Sequence, residues 1–149
     1  MLLLRHRPRS VAEVRRRLSE QGFTSDVVEE TIERAIATHQ LDDTAFAKLW
    51  VRDRMWHHPL SRAAIARELR DKGIAGDVVS ATLQDEYPAV REIDLATDLA
   101  RERIRRLCSL PEETRTRRLS AFLSRRGFAR GVVVQAVRAA ETECTDDNV

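Results

Sequence analysis

No stretch of this chain approaches the roughly eighteen consecutive apolar residues that a membrane-crossing helix needs, so no membrane span and no membrane partner are expected. Turn formers are also scarce. Five Gly and four Pro among 149 residues are too few for the many short strands of a sandwich or barrel. Aromatic residues make up only 5%, which suits thin helix-on-helix packing better than a β-sandwich. Cysteine is limited to Cys108 and Cys144, neither with a neighbouring Cys or metal-ligand spacing. Two distant thiols in a chain without a secretion signal read as reduced and cytosolic. Met1-Leu-Leu-Leu is too short for a signal-peptide core, and charge follows at once. The expected setting is cytoplasmic.

Catalytic and cofactor signatures are missing too. Neither a GxxxxGK[ST] phosphate loop nor a GxGxxG turn occurs, and no nucleophile has an elbow or a base beside it. His57-His58 is the one histidine pair, but adjacent side chains on a helix point apart, and further ligands at useful spacing are lacking. Asp42-Asp43 is explained more simply as a helix cap than as a pair of catalytic carboxylates. Trp50 and Trp56 straddle the edge of a core more readily than they stack on bases. The expectation is a non-enzyme with no catalytic residue, no metal and no cofactor.

What the chain does have is a repeat. Gly22, Gly73 and Gly127 each follow a basic amphipathic segment. Four residues before them stand Leu18, Leu69 and Leu123, and eight before stand Val14, Ile65 and Leu119. Phe23, Ile74 and Phe128 come directly after, then Val27-Val28, Val78-Val79 and Val132-Val133, then Ile32, Leu83 and Val137. Val14 and Leu18 lie one helical turn apart and share a face. A glycine at C′ ends such a helix because it accepts positive φ without a steric cost. Ser25 or Asp26, and Asp77 in the second copy, are the expected N-caps of the helices that follow. The product is a helix–turn–helix corner, three times over.

Helices are predicted over 10–21, 25–38, 42–57, 61–72, 76–86, 88–108, 112–126 and 130–142, with a further stub at Met1–His6, making nine in three groups of three. Leu18, Phe23, Ile32, Leu69, Ile74, Leu83, Leu123, Phe128 and Val137 are the expected core. Phe46, Leu49, Trp50 and Met55 are placed on the apolar surface of the third helix. The fold class is all-α: three tandem three-helix repeats in an elongated, curved right-handed array. Repeat boundaries fall at 1–40 (abbreviated at its N-terminal side), 41–87 and 88–142, followed by an acidic, disordered tail at 143–149.

Charge is sorted along this pattern. Residues 1–23 carry six basic and two acidic groups, and 24–47 one and six. Residues 48–75 carry seven and three, 76–100 one and six, and 101–138 eleven and three. The net charge of +2 therefore conceals strong segregation, with 101–138 the most basic block. Repeat stacking lines up Arg15, Arg16 and Arg17 with Arg67, Arg70 and Lys72 and with Arg125 and Arg126, the footprint of a polyanion partner. The plainer reading is that opposite blocks pair inside the fold. Arg outnumbers Lys by 24 to 2, which genome composition explains as well as phosphate recognition does. A sequence-specific DNA reader is the alternative. Asp26, Glu29, Glu30 and Glu33, or Asp77, Asp85 and Glu86, on the helix after the turn would however meet phosphate repulsion in a groove. Only the third copy, with Arg130, Gln135 and Arg138, suits that role.

Several blocks resemble a known family. Ser10-Val-Ala-Glu-Val-Arg-Arg-Arg-Leu with Gly22-Phe23, Leu41-Asp42-Asp43-Thr-Ala-Phe46-Ala-Lys-Leu-Trp-Val51-Arg52, Ile65-Ala-Arg-Glu-Leu69-Arg-Asp-Lys72-Gly73-Ile74 and Phe122-Leu123-Ser-Arg-Arg126-Gly127-Phe128 are similar to the RecX family of RecA regulators, over roughly residues 2–140. The resemblance implies tandem three-helix repeats in an elongated, curved molecule. It also implies insertion into the groove of a RecA–DNA filament, with inhibition of ATP turnover and strand exchange. The chain departs from the family in His57-His58-Pro59-Leu60, where a glycine-rich basic linker is expected, and in Gly131, which stands where the first two copies have Asp26 and Asp77. Charge and repeat position nominate Arg15, Arg16, Arg17, Arg52, Arg67, Arg70, Lys72, Arg117, Arg118, Arg125, Arg126 and Arg130 as filament or DNA contacts, and Glu29, Glu30 and Glu33 as RecA-facing. The expected partners are the RecA filament and, weakly and without sequence preference, single- or double-stranded DNA, bound by a monomer.

Overall fold

In the computed structural model, which describes residues 7–146, eight helices follow one another: α1 (Val11–Glu20), α2 (Ser25–Ala37), α3 (Asp43–Trp56), α4 (Arg62–Asp71), α5 (Gly76–Glu86), α6 (Ala89–Ile104), α7 (Glu112–Arg125) and α8 (Arg130–Asp146). No strand occurs among the described residues. The stub expected at Met1–His6 lies outside them. Two compact units result, Met1–Arg52 with Ala66–Glu86 and Asp53–Ile65 with Tyr87–Val149, the division falling inside α3 and α4.

The three glycine corners share one hydrogen-bond pattern. Gly22, Gly73 and Gly127 adopt φ of 87°, 79° and 88°. The amide after each glycine donates back to the leucine carbonyl five residues earlier: Phe23 to Leu18 (3.3 Å), Ile74 to Leu69 (3.0 Å) and Phe128 to Leu123 (3.3 Å). The glycine amides donate to Ser19, Arg70 and Ser124. This is the Schellman closure, which satisfies carbonyls that a helix end would otherwise leave unpaired.

The corners differ in what they receive. In the first unit, a Cβ on Gly73 would collide with the Ala12 Cβ of α1, and Ser10 Oγ donates to the Lys72 carbonyl at 2.6 Å. In the second, a Cβ on Gly127 would lie 2.6 Å from Ser61 Oγ and 3.0 Å from the Ala64 Cβ of α4, and the Ser61 amide donates to the Arg126 carbonyl. The start of an earlier helix is thus seated against each later corner. Among the described residues nothing lies within 4 Å of a Cβ on Gly22. Ile74 and Phe128 are accordingly 4% exposed, whereas Phe23, expected in the core, is 50% exposed.

The seated helix starts are themselves well capped. Ser10 and Glu13 form a capping box: Ser10 Oγ accepts from the Glu13 amide and Glu13 Oε2 accepts from the Ser10 amide. The next amide, Val11, donates to Asp43 Oδ1 of α3 at 2.9 Å. Ser61 caps α4 through the Ala64 amide, and the Arg62 amide donates to Glu92 Oε1 of α6 at 2.9 Å. Asp42 caps its own helix through the Ala45 amide. The Asp42-Asp43 pair therefore serves two different helix ends. For α2 the N-cap is Thr24, without a side-chain bond, in place of the expected Ser25 or Asp26.

Val14, Val28, Ile32, Ala35 and Leu41 form one core cluster of the first unit, with Leu18 partly buried beside it. The second unit is organised on α6 against α8, burying Ala96, Ala100, Ile104, Leu119, Leu123, Phe128, Ala136 and Ala140. Alanines at i, i+4 let two helix axes approach closely. Of the third helix's apolar set, Phe46 is buried, Met55 and Trp50 half-buried, and Leu49 and Trp56 exposed.

Two boundaries move. The α-helical part of α6 stops at Ile104, and 105–109 continue as turns in which Arg106, Leu107 and Leu110 each donate to the carbonyl three residues back. α8 runs to Asp146, into the segment expected as a disordered tail, because Glu143 pairs with Arg101 at 2.8 Å and Cys144 is bonded to Cys108. The cysteines are therefore joined rather than reduced. They lie 36 residues apart in sequence, but helix packing brings their Cα atoms to 5.8 Å, well inside bridging range.

Candidate nucleic-acid and protein contact surfaces

In the first unit much of the sorted charge pairs within the fold. Arg15 on α1 grips Glu29 on α2 through two bonds of 2.7 and 3.1 Å. Arg52 on α3 does the same to Glu86 on α5 at 2.7 and 2.9 Å. Those hydrogen bonds raise both arginine pKa values and hold Glu29 and Glu86 below the ordinary carboxylate range. Arg16 lies 3.8 Å from Glu20, and Glu30 pairs with Arg34 at 2.6 Å. Arg17, Glu33, Arg67 and Arg70 are exposed.

Lys72 is built into the structure. Its ammonium donates to Glu13 Oε1 at 2.9 Å and lies 5.2 Å from the centre of the Trp50 ring, while Trp50 Nε1 donates to Glu68. Phe46 stacks on Trp50 with centroids 5.7 Å apart, so Trp50 supports the core edge. Burial pushes the Glu13 carboxyl up, but the Lys72 and Ser10 hydrogen bonds and the Lys72 and Arg7 charges outweigh it and leave the pKa lowered.

In the second unit Arg101 and Arg115 pair with Glu143 and Glu141, but a group of arginines stands apart from these pairs. Arg117, Arg118, Arg125 and Arg130 are exposed. Arg118 and Arg125 lie seven residues apart on α7, hence on one face about 10 Å apart along the axis. With Arg103 of α6 they line a cleft of about 290 Å³ whose apolar surface is Leu107 and Ala121. None of the three makes an ion pair among the described residues. The Arg103 guanidinium lies 5.2 Å from the Phe122 ring centre, a contact that orients it without neutralising it. Arg126 is engaged elsewhere, donating to the Pro59 carbonyl at 2.7 Å and lying 4.8 Å from the same ring. Arg103 was missed from sequence because helix periodicity on α7 alone does not reveal which α6 residue faces it.

Gln135 and Arg138 are exposed on α8 after the third corner. Arg138 shares a second cleft, about 450 Å³, with the Arg115–Glu141 pair, whose closest approach is 2.7 Å. No cluster of three or more His, Cys, Asp or Glu suited to a metal occurs among the described residues, and no helix there is long and apolar enough to cross a membrane.

Comparison with known proteins agrees with this architecture. Residues 1–34 match the RecX first three-helix domain and residues 42–83 the RecX second three-helix domain. The chain is 38% identical over 145 residues to the regulatory protein RecX of Mycobacterium avium, covering 95% of this chain and 83% of that protein. It is 37% identical over 138 residues to that of Mycobacterium leprae, covering 92% and 80%. The crystal structure of RecX from Lactobacillus salivarius superposes with a TM-score of 0.82 at 19% identity, over 94% of this chain and 90% of that one. A second crystal structure of regulatory protein RecX gives 0.73 at 26% identity, over 87% and 65%. This all-helical chain belongs to the RecX family of regulatory proteins.

Proposed function

We propose that the chain is a non-enzymatic, cytoplasmic, monomeric regulator that enters the groove of a RecA–DNA filament and restrains its ATP hydrolysis and strand exchange. Its repeats would be 1–40, 41–87 and 88–142. The observation that carries the nucleic-acid part is the arginine cleft on α6 and α7. Three cations that pair with no carboxylate among the described residues surround a small apolar surface there, a setting that favours a phosphate backbone and gives forked donors to its oxygens. Arg117 on α7 and Arg130 on α8 are exposed as well. In the first unit Arg17, Arg67 and Arg70 remain available, while Glu33 offers an acidic contact for a basic protein partner.

RecA ATP hydrolysis on single-stranded DNA tests this reading. Arg118→Glu with Arg125→Glu should weaken inhibition, and should lower the salt dependence of naked-DNA binding by about two counterions. Arg126 is left intact because its bond to Pro59 is structural. Glu33→Lys, at the exposed acidic position that is offered to a basic partner, should also weaken inhibition, although it makes the protein a better ligand for naked DNA. Stronger inhibition by that variant, in step with tighter DNA binding, would leave simple competition for DNA as the explanation. Strong selectivity for one duplex sequence would instead favour an operator-binding protein reading bases through Arg130, Gln135 and Arg138 of α8.

A further inference from the structure

We infer that Cys108–Cys144 is a thiol–disulfide exchange site that clasps the basic segment 105–110 to the end of α8 and so regulates the arginine cleft. The regulatory half rests on the nucleic-acid reading above. Besides Leu107, buried in the core of the second unit, and Leu110, partly buried against it, the segment has few anchors. Three turn hydrogen bonds run through it, Arg106 to Arg103, Leu107 to Ile104 and Leu110 to Leu107. One side-chain anchor is present at its far end, where Arg115 Nη1 donates to the Leu110 carbonyl at 2.8 Å. Leu107, the residue next to Cys108, supplies apolar surface to the cleft, and Arg103 lies one turn before it. Whatever fixes Cys108 therefore fixes a wall of the site.

The two sulfurs are differently placed. Cys108 is exposed, whereas Cys144 is 8% exposed. A small thiolate therefore reaches Cys108 Sγ. Attack there forms a mixed disulfide on Cys108 and expels the Cys144 thiolate, which takes up a proton. A second thiol attacks the sulfur of the small-molecule half, releasing Cys108 as thiolate and a low-molecular-weight disulfide. The net reaction consumes two thiols, transfers two electrons to the protein, and yields two protein thiols. A low-molecular-weight disulfide drives the reverse. Reclosure is favoured because α6 packs against α8 and the Arg101–Glu143 and Arg115–Glu141 pairs pin the end of α8 that carries Cys144, which keeps it beside the segment that carries Cys108. Disulfides that form in a reducing compartment are usually transient and redox-sensing.

The experiment uses the full chain, oxidised or reduced in a buffer of low-molecular-weight thiol and its disulfide, with Cys108→Ser/Cys144→Ser as the clasp-free control. Trypsin cleavage after Arg105 and Arg106 is followed by peptide mass spectrometry, with cleavage after Arg17 in α1 as internal reference. Binding of a labelled single-stranded oligonucleotide is followed by anisotropy. Reduction should speed cleavage at Arg105 and Arg106 at least fivefold relative to Arg17 and weaken oligonucleotide binding at least threefold. The double variant should match the reduced protein in both readouts and ignore the buffer. Redox-independent cleavage, or a double variant that still responds, overturns the clasp. Changed cleavage with equal affinity in both forms overturns its control of the cleft. If neither form binds the oligonucleotide while cleavage remains redox-dependent, the clasp stands and the nucleic-acid reading falls.

Discussion

Replacing each of two corner glycines by alanine separates backbone strain from packing within one motif. Gly22 and Gly127 have nearly the same φ, 87° and 88°, and the same Schellman hydrogen bonds. Forcing an L-residue into that region costs about 1–2 kcal/mol, against which the stiffer unfolded chain returns about 0.4–1 kcal/mol. Gly22→Ala meets nothing within 4 Å among the described residues, so it should cost about 1 kcal/mol. Gly127→Ala bears the same strain and also drives its Cβ to 2.6 Å from Ser61 Oγ and 3.0 Å from the Ala64 Cβ. Ser61 cannot turn away freely, since its hydroxyl caps α4 and its amide is bonded to Arg126. Overpacking of that kind adds about 1–3 kcal/mol. Urea unfolding read by far-ultraviolet circular dichroism should show a clearly lower midpoint for Gly127→Ala than for Gly22→Ala, at unchanged slope. Equal losses would refute the seating of α4 against the third corner.

Leu69 is fully buried on α4, and Leu69→Ala should cost about 2–5 kcal/mol in the same assay. Glu13 has a lowered pKa in the fold, so its contribution is complete above the ordinary value of 4.5 and is lost as pH falls through the depressed one. Between pH 6 and pH 3 the parent should therefore lose more stability than Glu13→Gln, and parallel pH profiles would contradict the Lys72–Glu13–Ser10 arrangement. Trp50 fluorescence should respond to Lys72→Met, which removes the cation beside the ring; an unchanged emission spectrum would count against that contact.

Local rules served well wherever a residue acts on its own helix. The glycine spacing located all three corners, and most helix limits fell within a residue or two because serine, aspartate and glycine mark ends by short-range hydrogen bonding. They failed where the cause is distant. Phe23 has the sequence context of Ile74 and Phe128, yet it is exposed, and among the described residues no helix start is seated at Gly22. Cys108 and Cys144 seemed unrelated because sequence separation says nothing about where α6 and α8 meet. The extra turn of α8 depends on Arg101, 42 positions before Glu143. The candidate contacts divide in the same way. Basic blocks were legible, but Arg15, Arg52 and Lys72 proved to have carboxylate partners on other helices, while Arg103 joined Arg118 and Arg125 only through packing.

Ser10 carries a restriction that helix rules alone do not contain. An isolated helix accepts aspartate as readily as serine at its N-cap, since the position only has to receive a proton from an amide. Here one oxygen must also give a proton away, accepting from Glu13 while donating to the carbonyl of Lys72. Aspartate would keep the first bond and set a negative charge against a lone pair in place of the second. The tolerated alphabet at position 10 thus narrows to hydroxyls, and a designer who improved α1 by itself would weaken its attachment to α4.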